Sequence, residues 1–426
     1  MLPIRSAGRT GDSGKVVFPL KKLFESLPAK LLLGVVVGIL VGLGCSALTD
    51  NGSAFGPNAM QVILTVKTLM GSLISFCVPL IVIGFIAPSI TRLKSNASRM
   101  LGLALILAYT SSVCAALMSA AAGYVIIPNL SVQAAAEGLN ELPALLFNLE
   151  IAPVMSVMSA LVFSVLIGLA ATWTGANTIT KLLEEFQSVV LAIVSRVVIP
   201  ILPFFIAGTF CALAYEGSIT KQLPVFLIVI LIVMVGHFIW LGILYGLAGM
   251  YSGSNPMEVV KHYGPAYITA VGTMSSAATL AVALRCAKKS SVLRGDLTDF
   301  GIPLFANIHL CGSVLTEVFF VMTVSKVLYG TLPSVGTMVL FCFLLAVFAV
   351  GAPGVPGGTV MASLGLIISV LGFDQTGTGL MLTIFALQDS FGTACNVTGD
   401  GALTLMLTGF AKKHNIKEEK IDVALF

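Results

Sequence analysis

Charge is scarce in this sequence. Asp, Glu, Lys and Arg together make 10% of its 426 residues, against about 25% in soluble domains. So few charges cannot cover a water-facing surface, which excludes a soluble globular enzyme. Disorder is excluded as well, because it needs high charge and low hydrophobicity. Histidine is also rare, with four residues at 237, 262, 309 and 414, so a His-built metal cluster is not expected. The eight Cys show no CxxC spacing and nearly all lie in apolar runs. They read as small buried hydrophobes rather than as disulfides or zinc ligands. What is abundant is apolar: 57% of residues, with a mean hydropathy of +1.02. The class left is a polytopic membrane protein. Its net charge of +4 reflects basic cytoplasmic loops and no nucleic-acid partner.

The first apolar run, Leu31 to Leu48, carries no charge and exceeds the ~7–15 residues of a signal-peptide core. It reads as a retained transmembrane helix. Arg5, Arg9, Lys15, Lys21, Lys22 and Lys30 precede it, so segment 1–30 is expected to be cytoplasmic. Six full spans are expected, over about 31–49, 59–90, 98–127, 151–174, 185–215 and 222–250. The loop after the second holds Arg92, Lys94 and Arg99, whereas the loop after the third holds Glu137, Glu141 and Glu150 and no basic residue. That alternation follows the positive-inside rule. Lys67 and Arg196 fall inside apolar runs and are expected to snorkel towards an interface.

From about residue 255 the pattern changes. Residues 264–284 are apolar but rich in Ser, Thr, Gly and Ala, with Lys261 before them and Arg285 and Lys288 after. Equal positive flanks predict a segment that enters the membrane and returns to the same side. A helix over about 299–329 follows, with an unwound turn suggested by Gly312 and its small, polar neighbours. Val327 to Phe373 contains no charge, and AVGAPGVPGGTV (349–360) lies near its middle. A continuous helix cannot cross that Gly/Pro cluster, so a second re-entrant hairpin is expected, entering from the opposite face. A last helix runs over about 376–411, and 413–426 is a cytoplasmic tail. Paired broken segments in two inverted halves point to the binding site of a secondary transporter. Irregular backbone is tolerated at membrane depth only where protein buries it or a cavity wets it.

The last helix carries Asp389, Thr393, Asn396 and Asp400. At 100° per residue they fall within about 60° of one another and form one polar stripe. The two carboxylates stand roughly 16 Å apart along the axis, so one can serve an ammonium group and the other a cation. An ionisable group at membrane depth is functional by default; the competing reading is a structural polar seam between helices. Glu317 is a third carboxylate in an apolar helix and shares a face with Ser313. His309 fits either an ion site or a hydrogen-bonded buried histidine. Thr273 to Thr279 (TMSSAAT) lies at the first hairpin's tip. It suits a carboxylate ligand at a half-helix N-terminus or plain tight helix packing.

These motifs carry a resemblance. SSAATL, ANIHLCGS, GAPGVPGG and QDSFGTACNVTGD resemble the dicarboxylate/amino acid:cation symporters, the glutamate transporter family, over about 255–412. The first six spans agree in number and topology. The resemblance implies an all-α fold of eight transmembrane helices and two re-entrant hairpins. Residues 31–254 would supply scaffold helices plus helices 3 and 6 of a mobile transport domain. Residues 255–412 would form its core, and the chain would be a homotrimer working by elevator-type movement coupled to Na⁺. Asp389 would hold a substrate amino group, with Thr393 beside it. Asn396 and Ser276, with backbone around Met274, would hold the α-carboxylate, and Pro353 and Gly354 would close over it. Asp400 and the backbone oxygens of Phe305, His309 and Asn396 would bind one Na⁺. Backbone oxygens of Asn307, Val350 and Ala352 would bind a second.

Departures from the pattern shape the expected substrate. Members that take acidic substrates place an Arg where this chain has Gly392, or supply one at the position of Met274. With neither Arg present, a distal carboxylate would be buried unpaired. Gly392 leaves room and Ser313 offers a hydroxyl, so a small neutral amino acid such as serine or threonine is expected. The QDS…TA·N run also resembles the bacterial serine/threonine transporters of this family. Cys311 replaces an Asp that helps bind a third Na⁺, near Tyr109 and Ser112. Glu317 stands at the position of a proton-coupling Glu. The alternatives are a carrier of dicarboxylates or acidic amino acids and, less favoured, an ion channel, which lacks the usual charged rings. An enzyme is not expected, since no nucleophile–His pairing is evident.

Overall fold

The structure is a computed structural model that describes residues 27–95, 99–130, 141–149, 151–217, 219–352, 354 and 356–416. Most of the N-terminal basic run, Glu137, Glu150, Pro353 and the tail beyond Ile416 lie outside them. Helices dominate. The expected spans correspond to α1 (Leu27–Asp50), α2 (Phe55–Ser95), α3 (Arg99–Ile126), α4 (Val157–Thr174), α5 and α6 (Asn177–Ile193 and Ile199–Tyr215) and α7 (Ile219–Ser252). Helices α5 and α6 form one rod through a π-helical turn at Val194–Val198. Arg196 is exposed on that turn, as expected of a snorkelling residue.

Helix α1 packs on α6 along a stripe of Gly34, Gly38 and Gly42. A Cβ at any of the three would collide with the carbonyl of Pro203, Ala207 or Cys211. Glycines four apart let two backbones meet this closely, the usual device of membrane helices. Lys67 departs from expectation: it is 6% exposed. Gly208 opposite leaves a slot for its stem, with the Lys67 Cβ and Cγ lying 3.0 and 3.3 Å from the position a Cβ would take there.

After the short α8 (Met257–Val260), α9 (Gly264–Thr273) and α10 (Ser276–Ala287) form a helical hairpin. Met274 turns it with a φ of 53°, an uncommon conformation for a side chain larger than glycine. The next helix is broken, as expected, but at His309–Leu310. It runs as α11 (Gly295–Ile308) and α12 (Cys311–Tyr329), and Gly312 is already helical. A second broken pair follows, α13 (Val335–Gly351) and α14 (Gly358–Ser369), with the Gly/Pro loop between them. The last helix, α15, spans Gln375–Lys413. Asp374 caps it by accepting the Gly377 N–H at 2.8 Å. Helix α15 is the hub, packing against α12, α7, α9 and α11.

Six helical runs among the described residues are long and apolar enough to cross a bilayer. They lie in α1, α2, α3, α5–α6, α7 and α11–α12. Helix α4 has 18 residues and only a shorter apolar stretch, Val162–Thr174. Helix α15 has 39 residues, but its polar stripe dilutes its apolarity. For those two helices the count of eight spans rests on the sequence reading.

Candidate functional site

A small cavity lies where the two hairpins, the α11–α12 break and the middle of α15 converge. Its free volume is about 10 Å³, and it is lined by Met274, Ser276, Leu310, Ser313, Gly354, Thr359, Asp389, Thr393 and Asn396. The structure thus gathers onto one cavity seven residues singled out in the sequence. Gly392 adjoins it. A Cβ there would lie 3.4 Å from the N, Cα and Oγ of Ser313, ordinary contact. Pro353 lies outside the described residues. Leu310 and Thr359 were not anticipated.

Among the described residues lining the cavity, Asp389 supplies the only charged side chain. It is 3% exposed, and its Oδ2 accepts the Gly357 N–H at 2.7 Å, from the turn that starts α14. The carboxylate is thereby tied to the second hairpin. Thr393 stands one turn further along α15, beside it.

Asn396 does more than the stripe suggested. The first N–H groups of any helix lack intrahelical partners, and Leu310, at the start of α12, offers no capping side chain. Asn396 supplies the cap from α15. Its Oδ1 accepts the N–H of Gly312 at 2.7 Å and of Ser313 at 3.2 Å, while its Nδ2 donates to Ser313 Oγ at 2.9 Å. The oxygen is committed, and one Nδ2–H is left for a ligand. This cap requires α12 and α15 to lie very close. A Cβ at Gly312 would fall 2.5 Å from the Cys395 Cβ and from the Gly392 carbonyl oxygen. Gly312→Ala is therefore expected to cost about 1–3 kcal/mol by overpacking, read as a lower thermal midpoint of the purified protein.

The tips of the hairpins touch. Ser275 caps α10 by accepting the Ala278 N–H at 3.2 Å, and its hydroxyl donates to the Gly354 carbonyl at 2.6 Å. The Ala277 N–H reaches the same carbonyl at 3.4 Å.

Asp400, 1% exposed, lies deeper along α15. Its Oδ1 meets His309 Nδ1 at 2.9 Å, and His309 Nε2 meets Ser111 Oγ at 2.8 Å. The order Ser–His–Asp is that of a hydrolytic triad, but none of the three lines the cavity and all are buried. Asp400 Oδ2 is buried without a partner, so one carboxylate oxygen remains for a cation. Ser111, rather than Tyr109, reaches this cluster from α3. The Tyr109 hydroxyl donates to the Phe343 carbonyl at 3.4 Å, and Ser112 Oγ is buried without a partner. The Phe305 carbonyl accepts the His309 N–H at 2.9 Å.

Asn307 falls in the last turn of α11, Val350 in that of α13, and Ala352 just after it. The two helices are in contact. Carbonyls at helix C-termini lack intrahelical donors and carry the negative dipole end, which suits a cation. Glu317 is fully buried and accepts a hydrogen bond from Ser363 of α14, while its Oε2 has no partner.

Comparison with known proteins places the chain in a family. The model of the sodium:dicarboxylate symporter family matches residues 27–410. The chain belongs to the sodium:dicarboxylate symporter family. It is an all-α polytopic membrane protein of a transporter family. Among its relatives is excitatory amino acid transporter 2 of Mus musculus, 26% identical over 277 residues, covering 62% of this chain and 47% of that protein. Excitatory amino acid transporter 3 of the same organism is 30% identical over 171 residues, covering 40% and 32%. An excitatory amino acid transporter of Caenorhabditis elegans is 23% identical over 254 residues, covering 58% and 49%. The chain thus spans about half the length of the first of these relatives.

Proposed function

We propose that this protein is a secondary active symporter that imports a small neutral amino acid, serine- or threonine-like, together with Na⁺. The observation that carries the neutral substrate is the cavity's charge. Among the described residues its lining holds one carboxylate, Asp389, and no Lys or Arg. An α-amino acid brings an ammonium for Asp389 and a carboxylate for the Asn396 Nδ2–H and the Ser276 region. A second carboxylate would be buried without a cation, at a cost of several kcal/mol.

The Na⁺ reading rests on the unpartnered Asp400 Oδ2, with His309 against the other Asp400 oxygen at 2.9 Å and the backbone oxygens of Phe305, His309 and Asn396 as the proposed further ligands. A second ion would use the carbonyls of Asn307, Val350 and Ala352. With Cys311 in place of a carboxylate and His309 spanning Ser111 and Asp400, a third Na⁺ is not part of the proposal. Glu317, facing Ser363 of the second hairpin, is the proposed proton site. The working form would be a homotrimer in the plasma membrane with both termini cytoplasmic. Residues 31–254 would provide the scaffold with helices α3 and α7 of the transport domain, and 255–412 its core, moving as an elevator.

The second reading, a carrier of acidic amino acids or dicarboxylates, is favoured by the relatives' names. One experiment separates the two: uptake of labelled serine, threonine and aspartate into proteoliposomes of purified protein, with and without an inward Na⁺ gradient. Concentrative uptake of serine or threonine, lost when Na⁺ is replaced by choline and not inhibited by aspartate, is the expected result. Strong aspartate uptake would overturn the substrate assignment.

A further inference from the structure

The cavity contains a hydroxyl that the family pattern did not single out. Thr359 lies in the first turn of α14, two residues after Gly357, whose N–H is bonded to Asp389. It is 5% exposed and lines the cavity. No hydrogen bond from its hydroxyl to another described residue is seen.

Ser313 also lines the cavity, from α12. Its hydroxyl already accepts from Asn396 Nδ2 at 2.9 Å, which leaves its own O–H to donate. Gly392, one turn after Asp389 on α15, adds no side chain, and a Cβ there would already be in contact with Ser313 at 3.4 Å. Besides Ser276 and Thr393, already assigned above, the cavity lining thus carries two further hydroxyls, one on the second hairpin and one on α12.

A hydroxyl both donates and accepts. With Ser313 as donor, Thr359 completes the pair as acceptor, and a substrate hydroxyl can satisfy both. A methyl group can satisfy neither. A carboxylate could accept from both hydroxyls, so the pair separates a hydroxyl from a methyl group, and the exclusion of a carboxylate rests on the missing cation.

We propose that Thr359 is a specificity-determining residue that, together with Ser313, selects amino acids bearing a side-chain hydroxyl. This rests on the neutral amino acid reading above and deepens it. Because Thr359 sits on the second hairpin, the contact forms only when that hairpin lies over the cavity. A hydroxyl-bearing substrate would therefore favour the closed site more than alanine does.

The test compares the serine:alanine uptake ratio, each at sub-saturating concentration, for the wild type, Thr359→Val, Thr359→Ser and Ser313→Ala. A net hydrogen bond of up to about 1.5 kcal/mol corresponds to a factor of about ten. Thr359→Val is expected to lower the ratio about tenfold, chiefly through a higher KM for serine. Thr359→Ser, which keeps the oxygen, is expected to retain it. A wild-type ratio in Thr359→Val overturns the inference and leaves the neutral amino acid reading standing. If the wild type takes up aspartate but neither serine nor alanine, the underlying reading falls first. Should Thr359→Val fail to reach the membrane, the wild type supplies the readout by thermal shift in Na⁺. A greater midpoint rise with serine than with alanine and 2-aminobutyrate supports the role, and equal rises overturn it.

Discussion

Asp389→Asn is expected to abolish concentrative uptake, with the apparent affinity for substrate falling by two to three orders of magnitude. Breaking a buried ion pair by removing one partner costs about 3–5 kcal/mol, and each 1.4 kcal/mol is about a factor of ten. Asn keeps the shape and can still accept the Gly357 N–H through its carbonyl oxygen. What it loses is the charge that meets an ammonium group. The substrate-free protein should respond in the opposite direction. In it Asp389 is a buried carboxylate with no cationic partner among the described residues of the cavity, and neutralising it removes a desolvation cost. Asp389→Asn should thus melt at a higher temperature than the wild type without substrate and show no further rise when substrate is added. A merely structural Asp389 would give the reverse: a lower midpoint and retained uptake. Both quantities can be read on one detergent-purified sample reconstituted in parallel.

Gly392→Arg is expected to invert the selectivity. The Cβ it introduces meets Ser313 at 3.4 Å, which the wall accommodates without backbone movement. The rest of the side chain enters the space beside Ser313 and Thr359. A guanidinium there supplies the cation that a distal carboxylate needs, in bidentate geometry. Aspartate should become an inhibitor of residual uptake and then a substrate. Serine, whose hydroxyl would now compete with the guanidinium for space, should lose at least about a hundredfold, on the scale of one buried charge mismatch. Competition curves for aspartate and serine, run on the wild type and the variant in the same Na⁺ gradient, measure this. An unchanged order of preference would show that the space beside Gly392 does not hold the substrate side chain. Together with Thr359→Val, the pair would map that wall of the cavity from both sides.

The broad plan was readable from local signals. The apolar runs set the spans, and the Gly/Pro cluster at 349–360 forced the second break. The 100° periodicity put Asp389, Thr393, Asn396 and Asp400 on one face. What escaped depends on partners distant in sequence. Asn396 caps a helix that begins 85 positions earlier, at Cys311, and no local pattern announces a cap supplied by another helix. The break in the α11–α12 rod is set by His309 and Leu310, because Asn396 and its partners hold Gly312 inside the first turn of α12. Gly312 looked like the weak point only while it was read alone. Lys67 was expected at an interface because its helix is apolar; the slot opposite Gly208 is a tertiary feature. Thr359 follows directly on the Gly/Pro loop and reads there as an ordinary helix-start residue. Its place in the cavity comes from the Gly357–Asp389 bond, which joins two separate elements.

The contact between the hairpin tips has an energetic consequence. One oxygen, that of Gly354, accepts from both Ser275 and Ala277. When the tips part, water replaces both bonds, so the net loss is about 1 kcal/mol for each. Considered alone, a difference of about 2 kcal/mol leaves roughly 3% of molecules ajar at equilibrium. The second hairpin is also tied by Gly357 to Asp389 and by Ser363 to Glu317, so the tip contact is the weakest part of its closure. On the proposed reading, a cargo touching both hairpins would tighten that tip only while it is aboard.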